Sequence, residues 1–140
     1  LAQKVLTINK ELNGEINMPD ISRNVIWKPK KFEFSNMFSY GEDNVIDFES
    51  KEGTCGIFAP NHAGKSAIFD ALCFCLFDHS HRASRADQVL NRKKDSFICK
   101  LNFELNGSDY FVEKRATKYK SGPLKGRLRV DTIIFHPLCE

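Results

Sequence analysis

Hydrophobic and polar residues alternate along several short stretches of the chain, and a period of two is typical of β-strands with one buried face. The first such stretch contains Phe32 and Phe34 between charged and polar neighbours. A second stretch covers residues 45–48, and a third, largely apolar run covers residues 54–58. We therefore predict three strands in this region, the third of them buried and ending at Phe58.

The pattern changes to a continuous apolar block at residues 67–77, where Asp70 is the only charged residue. A block of this length predicts a helix, and apolar residues on nearly all of its sides are typical of the central helix of a layered α/β domain. Residues 79–85 are polar and predict a loop, and residues 86–90 fit one helical turn. The order strand, loop, helix is therefore expected across residues 54–77.

Alternation returns at residues 97–105, and a second strand pattern covers residues 110–119. The intervening Asn106-Gly107 is the strongest short signal for a two-residue hairpin turn. The sequence therefore predicts an antiparallel hairpin with one buried face. A Gly122-Pro123 turn precedes residues 127–135, which we interpret as a further strand.

The N-terminal part of the chain has a weaker pattern. Residues 1–13 place four apolar side chains at approximately helical spacing before Gly14, which predicts a short helix. Pro19 and Pro29 then interrupt a stretch with little periodicity. We interpret residues 1–30 as an upstream segment or linker, or as the end of a preceding domain, and residues 31–140 as the main domain.

The loop before the predicted helix carries the clearest chemistry. Residues 59–66 read Ala-Pro-Asn-His-Ala-Gly-Lys-Ser, and a strand, this loop and a helix are the order of a phosphate-binding P-loop. Such a loop directs backbone N–H groups at phosphate oxygens, and the helix N-terminus adds unbonded donors and its positive dipole end. Gly64 allows close approach, Lys65 supplies a mobile charge for the β- and γ-phosphates, and Ser66 offers a hydroxyl to Mg²⁺. The predicted nucleotide-binding residues are Ala59, Pro60, Asn61, His62, Ala63, Gly64, Lys65, Ser66 and Ala67.

The loop departs from the strict P-loop pattern at its first position, where Ala59 replaces glycine. Gly-Lys-Ser also occurs in ordinary loops, but the apolar strand pattern before it and the apolar helix after it favour the P-loop interpretation. Alanine at position 59 is tolerated if its φ is negative, whereas we expect Gly64 to be irreplaceable. We interpret His62 as a residue that fills space or lies near phosphate rather than as a catalytic base, because no carboxylate lies near it in sequence.

Composition places the 140 residues among ordinary globular domains, with 41% hydrophobic and 28% charged residues. No apolar run approaches the roughly 20 residues of a membrane helix, and no segment resembles a signal peptide. We therefore expect no membrane partner and an intracellular location, cytoplasmic or nuclear. The five cysteines lack C-x-x-C spacing, which favours reduced, buried thiols over a zinc site.

Charge is distributed unevenly along the chain, although the net charge is only +3. Residues 42–52 contain five carboxylates and one lysine, whereas residues 114–129 contain seven basic residues and no acid. Basic clusters attract polyanions because binding releases counterions from the phosphate backbone. Charge runs also occur on ordinary solvated faces, so both interpretations stay open. The candidate DNA contacts are Lys93, Lys94, Lys114, Arg115, Lys118 and Lys120.

The order of these motifs resembles the N-terminal half of the SbcC-type DNA-repair ATPases, which are SMC-like and related to the ABC ATPases. The loop of that family reads G-P-N-G-x-G-K-[ST], so this chain matches it in Asn61, Gly64, Lys65 and Ser66 and replaces two glycines by Ala59 and His62. The resemblance extends from residue 31 to residue 131. It rests on Phe-Glu-Phe-Ser-Asn-Met-Phe-Ser-Tyr-Gly at 32–41, Val-Ile-Asp-Phe at 45–48, the loop and its helix, Ser-Arg-Ala at 84–86 and Asp-Tyr-Phe-Val-Glu-Lys-Arg at 109–115.

The resemblance implies an α/β P-loop NTPase fold, namely an incomplete, ABC-ATPase-like N-terminal lobe with antiparallel strands and a hairpin packed beside the P-loop strand and helix. It implies ATP and Mg²⁺ as cofactors, with Lys65 as a catalytic residue that offsets charge at the γ-phosphate. The implied partners are DNA, the C-terminal ATPase lobe, a second ATPase head in a dimer, and a nuclease subunit or domain.

Three functions are compatible with these residues. The first is the ATPase lobe of a DNA-end-processing complex, which would bind ATP but not hydrolyse it alone, because the apolar run ending in Asp-Glu and the Ser-Gly-Gly signature do not occur in the sequence. The second is a non-catalytic, nucleotide-gated DNA-binding module. The third, a small P-loop phosphotransferase, is disfavoured because a hairpin follows residue 96 instead of a second helix–strand repeat.

Overall fold

The computed structural model describes residues 25–135, which form one antiparallel sheet with a helix packed on it. The strand order is β2-β1-β3-β4-β5. The prediction of an α/β lobe with antiparallel strands and a hairpin is confirmed. The strands are β1 (Trp27–Ser35), β2 (Asn44–Asp47), β3 (Ser96–Leu105), β4 (Ser108–Lys118) and β5 (Leu128–Phe135), and the helices are α1 (Lys65–Phe77) and α2 (Ala86–Val89).

The alternating residues of β1 supply the centre of the core. Phe32 and Phe34 are buried, and their rings stack with centroids 4.9 Å apart. They lie directly opposite Leu101 and Cys99 of β3. Because opposite residues of an antiparallel pair project from the same face of the sheet, these four side chains form one apolar surface. This is the surface that α1 covers.

The predicted hairpin is confirmed by the turn that joins β3 to β4. Leu105 pairs with Ser108, and the two residues between them, Asn106 and Gly107, have φ values of 51° and 85°. Positive φ at both positions is what a type I′ turn requires. The side-chain amide oxygen of Asn106 also accepts from the backbone N–H of Ile26 at 3.0 Å. The turn thereby fixes the chain just before β1.

Helix α1 is apolar on nearly all sides, as predicted, but only one side is buried in residues 25–135. Its Phe74 is buried and meets Phe97 of β3 edge-on, with ring centroids 6.0 Å apart. On the opposite side, Phe69 and Phe77 are 60% and 62% exposed. A helix with this pattern is suited to a position between two layers of structure. Residues 25–135 provide one of these layers, which is the sheet.

The prediction of a buried third strand at residues 54–58 is wrong. These residues are exposed and form no strand, and Phe58 is 94% exposed. A strand needs a neighbour for its backbone N–H and C=O groups. Within residues 25–135 every strand of the sheet pairs with another named strand, and none pairs with this segment. Apolar composition alone therefore does not make a strand here.

Strand β1 begins at Trp27, so the predicted boundary between residues 30 and 31 falls inside the strand. The helix predicted at residues 1–13 lies outside the described residues. The strand predicted at residues 127–135 is confirmed as β5, which pairs antiparallel with β4.

Neither α1 nor α2 is long and apolar enough to cross a membrane.

The expectation of buried thiols is only half right. Cys75 and Cys99 are buried, Cys55 and Cys73 are exposed, and Cys139 lies outside the described residues. The pKa of the Cys99 thiol is raised. The largest cause is a hydrogen bond with Cys75, and the next largest is the burial of the thiol. Between residues 25 and 135, no group of three His, Cys, Asp or Glu side chains could hold a metal ion.

Candidate nucleotide-binding site

Residues 59–66 form a tight turn that leads directly into α1. The backbone N–H of Ala63 donates to the carbonyl of Pro60 at 3.3 Å, and His62, the third residue of this turn, has a φ of 65°. Gly64 precedes the helix with a φ of 90°. Glycine adopts positive φ without strain, so His62 adopts a conformation that is usual for the glycine of the family's loop pattern. The substitution does not prevent the turn.

Lys65 folds back over the loop that precedes it. Its ammonium group donates to the carbonyls of Ala59 and Pro60, at 2.5 and 2.9 Å. The charge is therefore held by the first two residues of the loop, in front of the start of α1. A phosphate that approached the helix N-terminus would meet this ammonium group, which is the role predicted for Lys65.

The N-terminus of α1 is open to an anion. Among residues 25–135 no side chain caps it, and its first turn contains no acidic residue. Helix N-termini usually satisfy their unbonded N–H groups with a capping oxygen or an acidic side chain. Here the N–H of Ala67 donates to the carbonyl of Gly64, and the oxygen atoms of a phosphate would satisfy the N–H groups of Lys65 and Ser66. The residues present therefore fit a nucleotide phosphate chain.

A turn that the sequence analysis did not assign to the site lies against the loop. The hydroxyl of Tyr40 donates to the carbonyl of Gly64 at 3.1 Å. A Cβ added to Gly64 would lie 3.0 Å from the Oγ of Ser39 and 3.5 Å from the ring and hydroxyl of Tyr40. The φ of Gly64 favours glycine at this position, and a Cβ there would also need the Oγ of Ser39 to shift. No motif spacing links two residues so far apart in sequence.

The turn that carries Tyr40 is itself held by the last residue of α2 and by the segment that follows this helix. The backbone N–H of Phe38 donates to the carbonyl of Val89, and the backbone N–H of Asn91 donates to the carbonyl of Asn36 at 2.9 Å. Asn36 and Phe38 have φ values of 61° and 52°. Non-glycine residues with positive φ cost free energy and persist where surrounding contacts impose them. The turn is therefore a fixed support for the loop.

A cleft of about 850 Å³ opens beside this turn. Phe38 and Ser39 line one side, and a segment between Arg82 and Lys93 lines the other. Arg82 reaches from this segment to the buried Asp70 of α1, with Nε and Oδ2 3.2 Å apart. The cleft is open and lined mostly by polar and charged residues, and Ser39 on its wall lies close to Gly64 of the loop.

The structure removes Lys114 from the candidate DNA contacts. Its side chain is only 2% exposed, and its ammonium group lies 2.5 Å from Asp78 at the end of α1 and over the ring of Phe74. The alternation along β4 turns this residue toward the helix. The prediction failed because a charged residue in a strand can face the core when a partner is available.

The other five candidates occupy different environments. Lys94 pairs with Glu42, which lowers the pKa of that carboxyl. The ammonium group of Lys118 donates to the carbonyl of Lys94 and to the carboxylate of Asp95. Lys94 and Lys118 are therefore neighbours in the structure. Arg115 is exposed but pairs with Glu113 across one position of β4. Lys93 and Lys120 are exposed.

Cations without an acidic partner in the described residues gather at two places. The first is the segment that contains Arg92 and Lys93, beside the cleft. The second is the connection between β4 and β5, where Lys120, Lys125 and Arg127 are exposed. Backbone hydrogen bonds order this connection, including two between residues 119 and 126–127 at 2.9 Å. Both places present uncompensated positive charge to solvent.

Gly64→Ala is expected to weaken ATP binding by more than about tenfold, because alanine at this φ and a Cβ 3.0 Å from Ser39 would both displace the loop. The matched control is Gly41→Ala, since a Cβ at Gly41 meets nothing within 4 Å. Titration with a fluorescent ATP analogue measures both variants. Equal affinity of Gly64→Ala and the parent chain would contradict the described loop geometry.

The fold and the loop define a lobe of a P-loop NTPase, with an antiparallel sheet, a following helix whose N-terminus is open, and a lysine folded over the intervening loop. A family model described as an AAA domain matches residues 31–133. The chain belongs to this family. The resemblance to the SbcC-type ATPases is confirmed by the relatives that follow.

Three curated relatives show the extent of the similarity. The chain is 38% identical over 122 residues to an uncharacterized protein, R555, of Acanthamoeba polyphaga mimivirus, covering 86% of this chain and 9% of that protein. It is 35% identical over 93 residues to the SbcC component of the nuclease SbcCD of Bacillus subtilis, covering 62% and 8%. It is 31% identical over 92 residues to the DNA double-strand break repair Rad50 ATPase of Methanococcus maripaludis, covering 66% and 9%. The chain therefore spans less than a tenth of the length of these relatives.

Among solved structures, the recombination mediator protein RecF with ATP is similar in fold. The TM-score is 0.59 at 16% sequence identity, over 76% of this chain and 26% of the other. At that identity the likeness establishes the fold, which is the predicted ABC-ATPase-like N-terminal lobe.

Proposed function

We propose that this chain is the ATP-binding N-terminal lobe of a DNA-repair ATPase that uses ATP binding and hydrolysis to regulate the binding and processing of DNA ends with a nuclease partner. The observation that carries the proposal is the open N-terminus of α1 with Lys65 held in front of it. The names of two relatives, a nuclease component and a DNA double-strand break repair ATPase, support the DNA-repair part.

The phosphate chain of ATP would lie in the loop formed by residues 59–67. Backbone N–H groups at the start of α1 would bind the phosphate oxygens, and Lys65 would exchange its carbonyl partners for the β- and γ-phosphates. The nucleoside would extend into the adjoining cleft between Ser39 and the segment from Arg82 to Lys93. Ser66 would hold Mg²⁺ through its hydroxyl. When bound, Mg²⁺ neutralises charge on the β- and γ-phosphates.

A groove of about 1270 Å³, lined by apolar side chains on its walls and by charged side chains around them, supports the proposal that a second lobe completes the head. Ile57, Phe69 and Leu72 line one part of it, and Phe32, Ile46 and Phe48 line the other. Ile57 and Phe69 on this groove, and the neighbouring Phe58, are large apolar side chains that are about half to almost fully exposed, and clustered exposed apolar side chains mark interaction sites. We propose the C-terminal ATPase lobe as the occupant, since this chain spans so little of its relatives. That lobe would also supply residues 54–58 with neighbouring strands.

DNA binding is proposed for the exposed, unpaired cations rather than for the whole basic stretch. Lys93 and Lys120 remain from the candidates as exposed side chains, and Lys125 and Arg127 join Lys120 on the connection between β4 and β5. Lys94, Arg115 and Lys118 share their charge with acidic neighbours, so we propose a smaller contribution from them. Two such heads, dimerised on ATP, would present these surfaces to one DNA molecule.

Neutralising Lys120 and Lys125 together, as Lys120→Gln and Lys125→Gln, is expected to weaken DNA binding and to flatten its salt dependence. Each lost phosphate contact lowers the slope of log affinity against log salt by about 0.9. The control changes net charge equally through Lys28→Gln and Lys31→Gln on β1. DNA affinity measured between low and moderate salt checks both. The same slope in both double variants would mean that the connection carries only a solvated charge.

Hydrolysis is proposed for the assembled head, not for this chain alone. The sequence contains neither the carboxylate pair nor the signature that the family uses for hydrolysis. A non-catalytic, nucleotide-gated DNA-binding module is therefore the second candidate function. The test compares DNA release by the assembled protein with ATP and with a non-hydrolysable ATP analogue. Release that is lost with the analogue would support the ATPase function. Identical release with both nucleotides would support the non-catalytic DNA-binding module.

A further inference from the structure

In the described part of the chain, a single side-chain hydrogen bond connects the phosphate-binding loop to the sheet side of the molecule, and it comes from Tyr40. We propose that Tyr40 is a positioning residue for nucleotide binding, which fixes the peptide unit between Gly64 and Lys65 so that its N–H faces the phosphate chain. This inference rests on the proposed nucleotide-binding function and adds a residue outside the loop to it.

The geometry of the peptide unit explains how a contact to a carbonyl can direct an N–H group. The peptide bond is planar and trans, so the carbonyl oxygen of Gly64 and the N–H of Lys65 point in opposite directions. The hydroxyl of Tyr40 donates to that oxygen at 3.1 Å, and the backbone N–H of Ala67 donates to it at 2.9 Å. With the oxygen held between these two donors, the N–H of Lys65 is directed away from Tyr40.

Tyr40 can hold the loop because it is itself held on three sides. Its ring meets Phe34 edge-on, with centroids 5.2 Å apart and an interplanar angle of 79°. Its carbonyl accepts from the side-chain amide of Asn91 at 3.0 Å, and its backbone N–H donates to the carbonyl of Met37 at 2.9 Å. Phe34 and Met37 belong to the buried core. The hydroxyl is therefore fixed relative to the sheet.

Preorganised donors bind an anion better than mobile ones, because the loop does not have to be ordered on binding. Gly64 has the most flexible backbone of any residue type, so an external contact has its largest effect there. Ala67 lies within the same helix and moves with it, whereas Tyr40 belongs to a different element. Tyr40 is therefore the contact that places the loop relative to the rest of the lobe.

The test is Tyr40→Phe, which keeps the ring against Phe34 and removes only the hydroxyl. A hydrogen bond of this kind corresponds to a change in affinity of about three- to tenfold. We expect affinities for ATP and for inorganic tripolyphosphate to fall by the same factor in that range. Both are measured by competition with a fluorescent ATP analogue, well below the melting temperatures of all variants. The matched control is Tyr119→Phe on the connection between β4 and β5, which should change neither.

Tripolyphosphate separates positioning of the loop from contact with the nucleoside. Unchanged tripolyphosphate affinity in Tyr40→Phe overturns the proposal, whether or not ATP affinity falls, because the hydroxyl would then act elsewhere. Lys65→Ala, measured in parallel, separates this result from failure of the proposed function. If Lys65→Ala binds ATP like the parent chain, the loop is not the nucleotide site; if it loses binding while Tyr40→Phe does not, only the role of Tyr40 is wrong.

Discussion

Lys65→Ala is expected to lower ATP affinity by about a hundredfold while the chain remains folded. A hydrogen bond between charged groups contributes up to about 3 kcal/mol, and each 1.4 kcal/mol is a factor of about ten in affinity. The side chain makes its two hydrogen bonds only to loop carbonyls, so its removal leaves the core untouched. Titration with a fluorescent ATP analogue, with and without Mg²⁺, measures the change.

The same titration decides whether the loop is a nucleotide site at all. The control is Lys28→Ala, which removes an exposed lysine that pairs with Glu104 on the sheet. Thermal unfolding of both variants should resemble that of the parent chain. Undiminished ATP affinity in Lys65→Ala would refute the P-loop assignment, and binding that is indifferent to Mg²⁺ would refute the proposed role of Ser66.

The second large effect concerns the ion pair between the buried Lys114 and the exposed Asp78, and the two partners are expected to differ in the effect of their replacement. Asp78→Asn leaves the Lys114 ammonium, whose side chain is 2% exposed, without a counter-charge. Uncompensated buried charge is costly, so we expect a loss of about 1–3 kcal/mol in unfolding free energy. This is less than the roughly 3–5 kcal/mol that breaking a fully buried pair costs, because Asp78 is largely exposed. Lys114→Met instead removes the buried charge and leaves Asp78, which is 68% exposed, to water. We expect this variant to lose less than about 1 kcal/mol.

Urea denaturation of the two variants measures this difference directly. Asparagine is chosen at position 78 because it tolerates the φ of 61° that Asp78 has at the C-terminus of α1. The control is Asp131→Asn, which breaks an exposed pair with Arg129 and should change stability by less than about 1 kcal/mol. If Lys114→Met proved as destabilising as Asp78→Asn, the ammonium would be stabilising the core through contacts other than Asp78.

Much of the fold is determined by short-range patterns. Alternation identified β3 and β4, and Asn106-Gly107 identified the turn between them because few residue pairs tolerate positive φ at both positions. Residues 54–58 show where such patterns fail. Their apolar side chains meet the composition of a buried strand, but strand formation depends on a partner that local sequence does not specify.

The sequence predicted the part of the site whose residues follow each other in one segment, the loop and the start of α1. It did not predict the part that forms where this loop meets the turn that carries Tyr40. Gly64, Lys65 and Ser66 follow each other, and their roles derive from their order. Tyr40 reaches the loop only because β1 and α1 pack on the same core, a contact without a sequence signal. Lys114 shows the opposite error, because a count of charges does not reveal which face of a strand a lysine occupies.

The connectivity of the sheet also constrains how the molecule folds. β3, β4 and β5 are neighbours in sequence and in space, so they can assemble through short-range contacts. β1 also pairs with β3, but a long segment that includes β2, the loop and both helices lies between these two strands in sequence. Closing this long segment into a loop costs more chain entropy than closing a two-residue turn, and such long-range pairing is characteristically slow. We therefore expect the β3–β4 hairpin to form first and the part of the core supplied by Phe32 and Phe34 of β1 to be completed later.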